Sequence, residues 1–153
     1  MNVKLIAVTS PRIESLNNAE DIVSYCARVS NPSNQSVRLL GIDTPESRTS
    51  DKIEKVFGTL SKNKVKEFID RCEGHVILQT VLSDSEEKFG RLLGKIINPK
   101  DNTVLNDWLI TSHYAVAYNG ENKDKVAQAH LSNRKFLIDN KEVSMTYAEA
   151  GIK

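Results

Sequence analysis

From residue 37 onward, short apolar runs alternate with amphipathic stretches, and the first run ends abruptly. Residues 37–42 read V-R-L-L-G-I, a strand, which the turn D-T-P-E at 43–46 terminates. Residues 53–72 then place Val56, Leu60, Val65, Phe68 and Ile69 on one face, which predicts a helix with that side buried. H-V-I-L-Q-T-V-L at 75–82 and G-R-L-L-G-K-I-I at 90–97 read as two strands joined by the charged turn S-D-S-E-E-K-F. A short amphipathic helix is expected over 104–114 and a last, more polar one over 122–138. The order strand, helix, two strands, helix, helix predicts an α+β protein, a small barrel or sheet with helices packed on it.

Upstream the texture differs. V-K-L-I-A-V-T at 3–9 is β-branched and apolar, hence a strand. Residues 18–29 carry Ile22, Val23, Cys26 and Val29 at helical spacing, with Asn17 or Asn18 as the cap. The polar S-N-P-S-N-Q-S at 30–36 reads as a linker. Three segments are therefore expected: a strand-helix piece over 1–36, the main domain over 37–140 and a tail over 141–153. A chain of 153 residues is long enough for one domain with a hydrophobic core.

A net charge of +1 supplies no global basic field. That weighs against a role in coating DNA, while leaving room for a local phosphate-binding cleft. Cys26 and Cys72 stand too far apart for a zinc motif or a disulfide framework, and a reduced compartment is the simplest reading. The opening residues have too short an apolar stretch for a signal peptide, and no window reaches the length of a membrane span. The expectation is a cytoplasmic protein with no membrane partner.

Around the first turn, R-L-L-G-I-D-T-P-E-S-R sets two carboxylates between two guanidiniums. Hydrolysis of a phosphodiester requires an in-line water and neutralisation of charge on a five-coordinate phosphorus, tasks suited to metal ions and arginines. Asp43 and Glu46 offer hard oxygens for Ca²⁺ or Mg²⁺, and Glu46 can alternatively orient or deprotonate the water. Arg38 lies on the strand leading in, and Arg91 opens a later strand after the glycine of K-F-G-R. The competing reading of D-T-P-E is a helix start, with Thr44 as cap, Pro45 in the first position and Glu46 favouring the dipole.

In combination these matches are more specific. V-R-L-L-G-I-D-T-P-E at 37–46, E-K-F-G-R-L-L-G-K-I at 87–96, V-L-N-D-W-L at 104–109 and A-V-A-Y at 115–118 follow one another in order before a closing helix. In this the segment from about 37 to 137 resembles the staphylococcal-nuclease-like (thermonuclease) family of OB-fold phosphodiesterases. The resemblance implies an OB-fold-like barrel with three packed helices and hydrolysis of DNA or RNA. It implies that Arg38 and Arg91 bind phosphate and stabilise the transition state. Asp43 would ligate calcium or another divalent cation, Thr44 would add its backbone carbonyl, and Glu46 would handle the attacking water. Lys88 and Tyr118 fall where the family contacts a nucleotide phosphate, whereas Phe89 replaces a common tyrosine.

The family normally begins with two further strands, the first bearing a D-G-D-T-type motif with another metal-binding aspartate. No such motif occurs in this chain. The first 35 residues, with A-E-D-I-V-S-Y-C-A-R-V-S-N-P, instead resemble the extreme N-terminus of flavin-dependent thymidylate synthases. That family's arginine-histidine-arginine signature is absent, so no flavin is expected. The chain reads as a mosaic joined near Ser36, with an incomplete or rearranged barrel and a weakened calcium site. Asp21 and Glu20 can replace the lost acid only if the helix over 18–29 turns them inward. A module that binds nucleic acid or protein without cutting is the alternative to a nuclease. His75, His113 and His130 lack metal spacing and read as surface or strand-end residues, and Trp108 reads as core.

Overall fold

The computed structural model describes residues 2–8, 12–15, 22–26, 31–73, 75–81 and 92–153. In chain order these form β1 (Asn2–Val8), β2 (Arg12–Ser15), β3 (Ile22–Cys26), β4 (Asn31–Leu39), β5 (Ile42–Asp43), α1 (Lys52–Arg71), β6 (Ile77–Val81), β7 (Leu92–Ile97), α2 (Leu105–Thr111), β8 (Val116–Ala117) and α3 (Lys123–Asp139). The class is α+β, as expected. Two compact units share these elements, one of Met1–Leu40 with Ile69–Asn106 and one of Gly41–Phe68 with Asp107–Lys153.

The first unit holds a six-stranded sheet in the order β1-β4-β7-β6-β3-β2. β4 and β7 run parallel, with Val37 opposite Leu92, and every other pair is antiparallel. Val37 and Leu39 are buried while Arg38 between them is half-exposed, the alternation of a strand with one face on a core. Among the described residues, Leu78, Ile96, Leu105 and Cys72 are the other buried apolar side chains of this unit. Burial also pushes the Cys72 thiol above its ordinary pKa.

Two upstream expectations are corrected here. Residues 22–26, expected as helix, form β3. Ile22, Val23, Tyr25 and Cys26 are good strand residues, and the segment hydrogen-bonds on both sides, to β2 and to β6. Its apolar spacing satisfied a helical period only because so short a run fits either template. Residues 31–36 of the expected linker are likewise the first two thirds of β4, paired with β1. β1 thus lies beside β4 and β3 beside β6.

Gly41 ends the expected strand 37–42 in two pieces. Its φ of 75° lies in the left-handed region that glycine enters without strain, and the turn separates β4 from β5. Just before it, the Leu40 N–H donates to the Gly94 carbonyl (2.8 Å). Asn106 reinforces this join within the first unit. Its Nδ2 donates to the carbonyls of Leu40 (2.9 Å) and Gly94 (3.2 Å), and its Oδ1 accepts from the Ile96 N–H (3.3 Å).

In the second unit β5 pairs with β8, Asp43 opposite Val116. α1 buries Phe57, Gly58, Ser61, Val65 and Phe68. That stripe is one position out of phase with the expected one at its start, and Val56 is 42% exposed. The small residues Gly58 and Ser61 belong to the buried face because backbone approaches the helix there. The Ser61 hydroxyl donates to the Tyr114 carbonyl at 2.6 Å. Trp108 stands between Phe68 and Tyr114, each ring centroid 5.8 Å away, an aromatic cluster in keeping with the core role expected of it.

Candidate functional site

D-T-P-E is not a helix start. The residues between it and α1 are bends, and the cap is Asp51, whose Oδ1 accepts from the N–H groups of Ile53 (2.9 Å) and Glu54 (3.1 Å). The turn at 43–46 is therefore free of the capping role and stands as a separate feature ahead of α1. Two contacts fix it there. The Glu46 N–H donates to Glu54 Oε1 at 3.2 Å. The Glu46 backbone also lies against Gly58, where a Cβ would stand 2.4 Å from the Glu46 carbonyl carbon and oxygen. Only glycine tolerates that approach without a shift. Thr44 is buried, and the Glu46 side chain is exposed.

The β5–β8 ladder brings a second expected residue to the turn. The Tyr118 N–H donates to the Gly41 carbonyl at 2.8 Å, extending the pairing of Ile42 with Ala117 and Asp43 with Val116. The structure thus gathers Asp43, Thr44, Glu46 and Tyr118 in the second unit. Arg38 belongs to the first unit, and Lys88, Phe89 and Arg91 lie outside the described residues, as do Glu20 and Asp21.

The residue that sequence reasoning missed is His130. Its Nε2 lies 2.7 Å from Asp43 Oδ2, with the imidazole side chain 17% exposed and the carboxylate 45%. Because an ionised carboxylate only accepts, Nε2 carries the hydrogen. His130 sits on α3, 87 positions from Asp43, and nothing in H-L-S-N-R announces the contact. α3 itself is capped by Asn122, which accepts from the Asp124 N–H at 2.7 Å. Next along the helix, Asn133 donates to the Ala115 carbonyl at 3.0 Å and meets His113 Nδ1 at 3.1 Å. An open hollow beside the turn is lined by Pro45, Glu54, Ala127, His130, Leu131 and Arg134.

Elsewhere in this unit, the buried Tyr114 phenol donates to Glu142 Oε2 at 2.6 Å. Its pKa is pushed well above the ordinary value, first by burial and then by that carboxylate.

Calcium takes six to eight oxygen ligands. Among the described residues no three His, Cys, Asp or Glu side chains converge, and one oxygen of Asp43 is already engaged by His130. With His130 on Asp43 the described donors do not fit a calcium site, and Asp43 completed by waters would make only a weak one.

Known proteins place these features. Thirty-five residues of the chain are 57% identical to a probable flavin-dependent thymidylate synthase of Paramecium bursaria Chlorella virus 1, a match that covers 23% of this chain and 16% of that protein. The chain therefore spans less than a fifth of that relative's length. The far longer match is to the Staphylococcal nuclease homologue family, over residues 36–144, which takes in the turn, α1, β6, β7, α2, β8 and α3. That family is built on an OB-fold, is calcium-dependent, and supplies nuclease-type or nucleic-acid-binding modules. With more than two thirds of its length inside that match and the D-T-P-E turn held as a separate feature ahead of α1, the chain belongs to the staphylococcal nuclease homologue family.

Proposed function

We propose that the ligand of this protein is the phosphodiester backbone of DNA or RNA, and that its nuclease-type turn at 43–46 serves hydrolysis of that backbone. The observation that supports this reading is the turn itself: Glu46 is exposed, and its backbone is tied to Glu54 and seated on Gly58. An exposed carboxylate on a backbone so held can orient a water or take its proton. Arg38 and Arg91 would carry the phosphate charge through bidentate guanidinium contacts, with Lys88 and Tyr118 on a neighbouring phosphate.

One observation favours a second reading, binding without cleavage. The Asp43–His130 hydrogen bond engages the carboxylate that calcium-dependent chemistry would need. Cleavage of single-stranded DNA by the purified chain separates the two, measured with calcium and with chelator, beside Glu46→Gln and Arg91→Ala. Cleavage lost in both variants, with their melting curves unchanged, supports hydrolysis. Salt-sensitive binding without cleavage in any of the three supports the second reading. A chain that neither binds nor cuts DNA or RNA overturns the proposal.

A further inference from the structure

We propose that His130 is a resident cap on Asp43 that keeps calcium off this carboxylate. The contact is not a loose surface pair. Asp43 is held by its ladder partner Val116, and the residue just before that partner, Ala115, is where Asn133 of α3 is anchored. Backbone hydrogen bonds on one side and an amide bridge on the other therefore set the distance between imidazole and carboxylate. The ring is mostly shielded, so solvent does not readily replace it.

The cap blocks calcium for a geometric and a chemical reason. A bound calcium ion sits about 2.3–2.6 Å from a carboxylate oxygen. Nε2 stands 2.7 Å from Oδ2, so it already occupies one approach to that oxygen. An imidazole cannot join the coordination shell in exchange, since calcium selects oxygen donors. The hydrogen bond to a charged acceptor is also roughly twice as strong as a neutral one, so a cation has to displace a good partner. The inference concerns cation access at Asp43 and holds whether or not the nucleic-acid backbone is cut.

Thermal melts of the full chain test it, with calcium chloride, zinc chloride or EGTA, on the natural protein, His130→Ala and the double variant His130→Ala with Asp43→Asn. The natural protein is expected to melt at the same temperature with calcium and with EGTA. His130→Ala is expected to gain a calcium-dependent rise of about 2–4 °C at millimolar calcium, the size of shift that weak binding gives. The double variant is expected to lose that rise. A calcium-dependent rise in the natural protein overturns the proposal, as does a His130→Ala protein that folds and stays insensitive. A zinc-dependent rise in the natural protein that His130→Ala abolishes overturns it too, because the pair would then be a ligand set. Should His130→Ala fail to fold, the imidazole ¹H–¹⁵N signals of the natural protein decide: signals unmoved by calcium support the cap, and displaced His130 signals overturn it.

Discussion

Asn106 shows how much one side chain can hold and how little of that is visible in the sequence. Its three hydrogen bonds join two neighbouring strands, to the Leu40 carbonyl just past β4 and to the Gly94 carbonyl and Ile96 N–H of β7, in a position only 1% exposed. Asn106→Ala takes these bonds from the Leu40 carbonyl and the Ile96 N–H, while the Gly94 carbonyl keeps the Leu40 N–H, and losing two at once costs more than one average hydrogen bond. We expect a loss of about 2–4 kcal/mol in urea unfolding, against well under 1 kcal/mol for a solvated helix asparagine. In the sequence Asn106 is an unremarkable polar residue on a short amphipathic helix. Asp43, Thr44, Glu46 and Tyr118 could be singled out because motif and spacing mark them, and their roles belong to the proposal above. His130 was not, because a contact across 87 positions leaves no local pattern.

At the scale of the element, α1 was placed to within one residue at each end, 53–72 against Lys52–Arg71. Its buried face was misjudged at the start. Sequence reasoning took Val56 as core because it is apolar, whereas the helix turns Phe57, Gly58 and Ser61 inward. Small residues mark where a neighbouring backbone comes close, and hydrophobicity alone does not register that. Gly58→Ala separates the two explanations by sign. Helix propensity alone would stabilise the helix by about 1 kcal/mol. The 2.4 Å approach to the Glu46 carbonyl instead forces α1 and the turn apart. We expect a net destabilisation of about 1–3 kcal/mol in chemical unfolding. Nucleic-acid binding or cleavage should weaken with it, because Glu46 moves.

At the scale of the whole molecule, the segment that resembles another enzyme supplies half of the strands in the six-stranded sheet, β1, β2 and β3. β1 covers one side of β4, and β3 covers one side of β6. A chain beginning at residue 31 keeps every residue of the nuclease match yet exposes both edges. Bare strand edges pair with other chains. We expect the shortened protein to aggregate in size-exclusion chromatography and to lose a sharp thermal transition. A monodisperse species with an unchanged melt would show that the upstream strands are dispensable. The class and the later elements were legible because each has its own period. The roles of residues 22–26 and 31–36 were not, because strand partners are chosen across the fold rather than along the chain. The nuclease match begins at residue 36, inside β4, which runs from Asn31 to Leu39. The seam between the two textures therefore falls in mid-strand, stitched to β1 on one flank and, from Val37, to β7 on the other. Backbone ladders do not read side chains, so the pairing of β4 runs unbroken across the start of the match, and no cut there would release either piece whole.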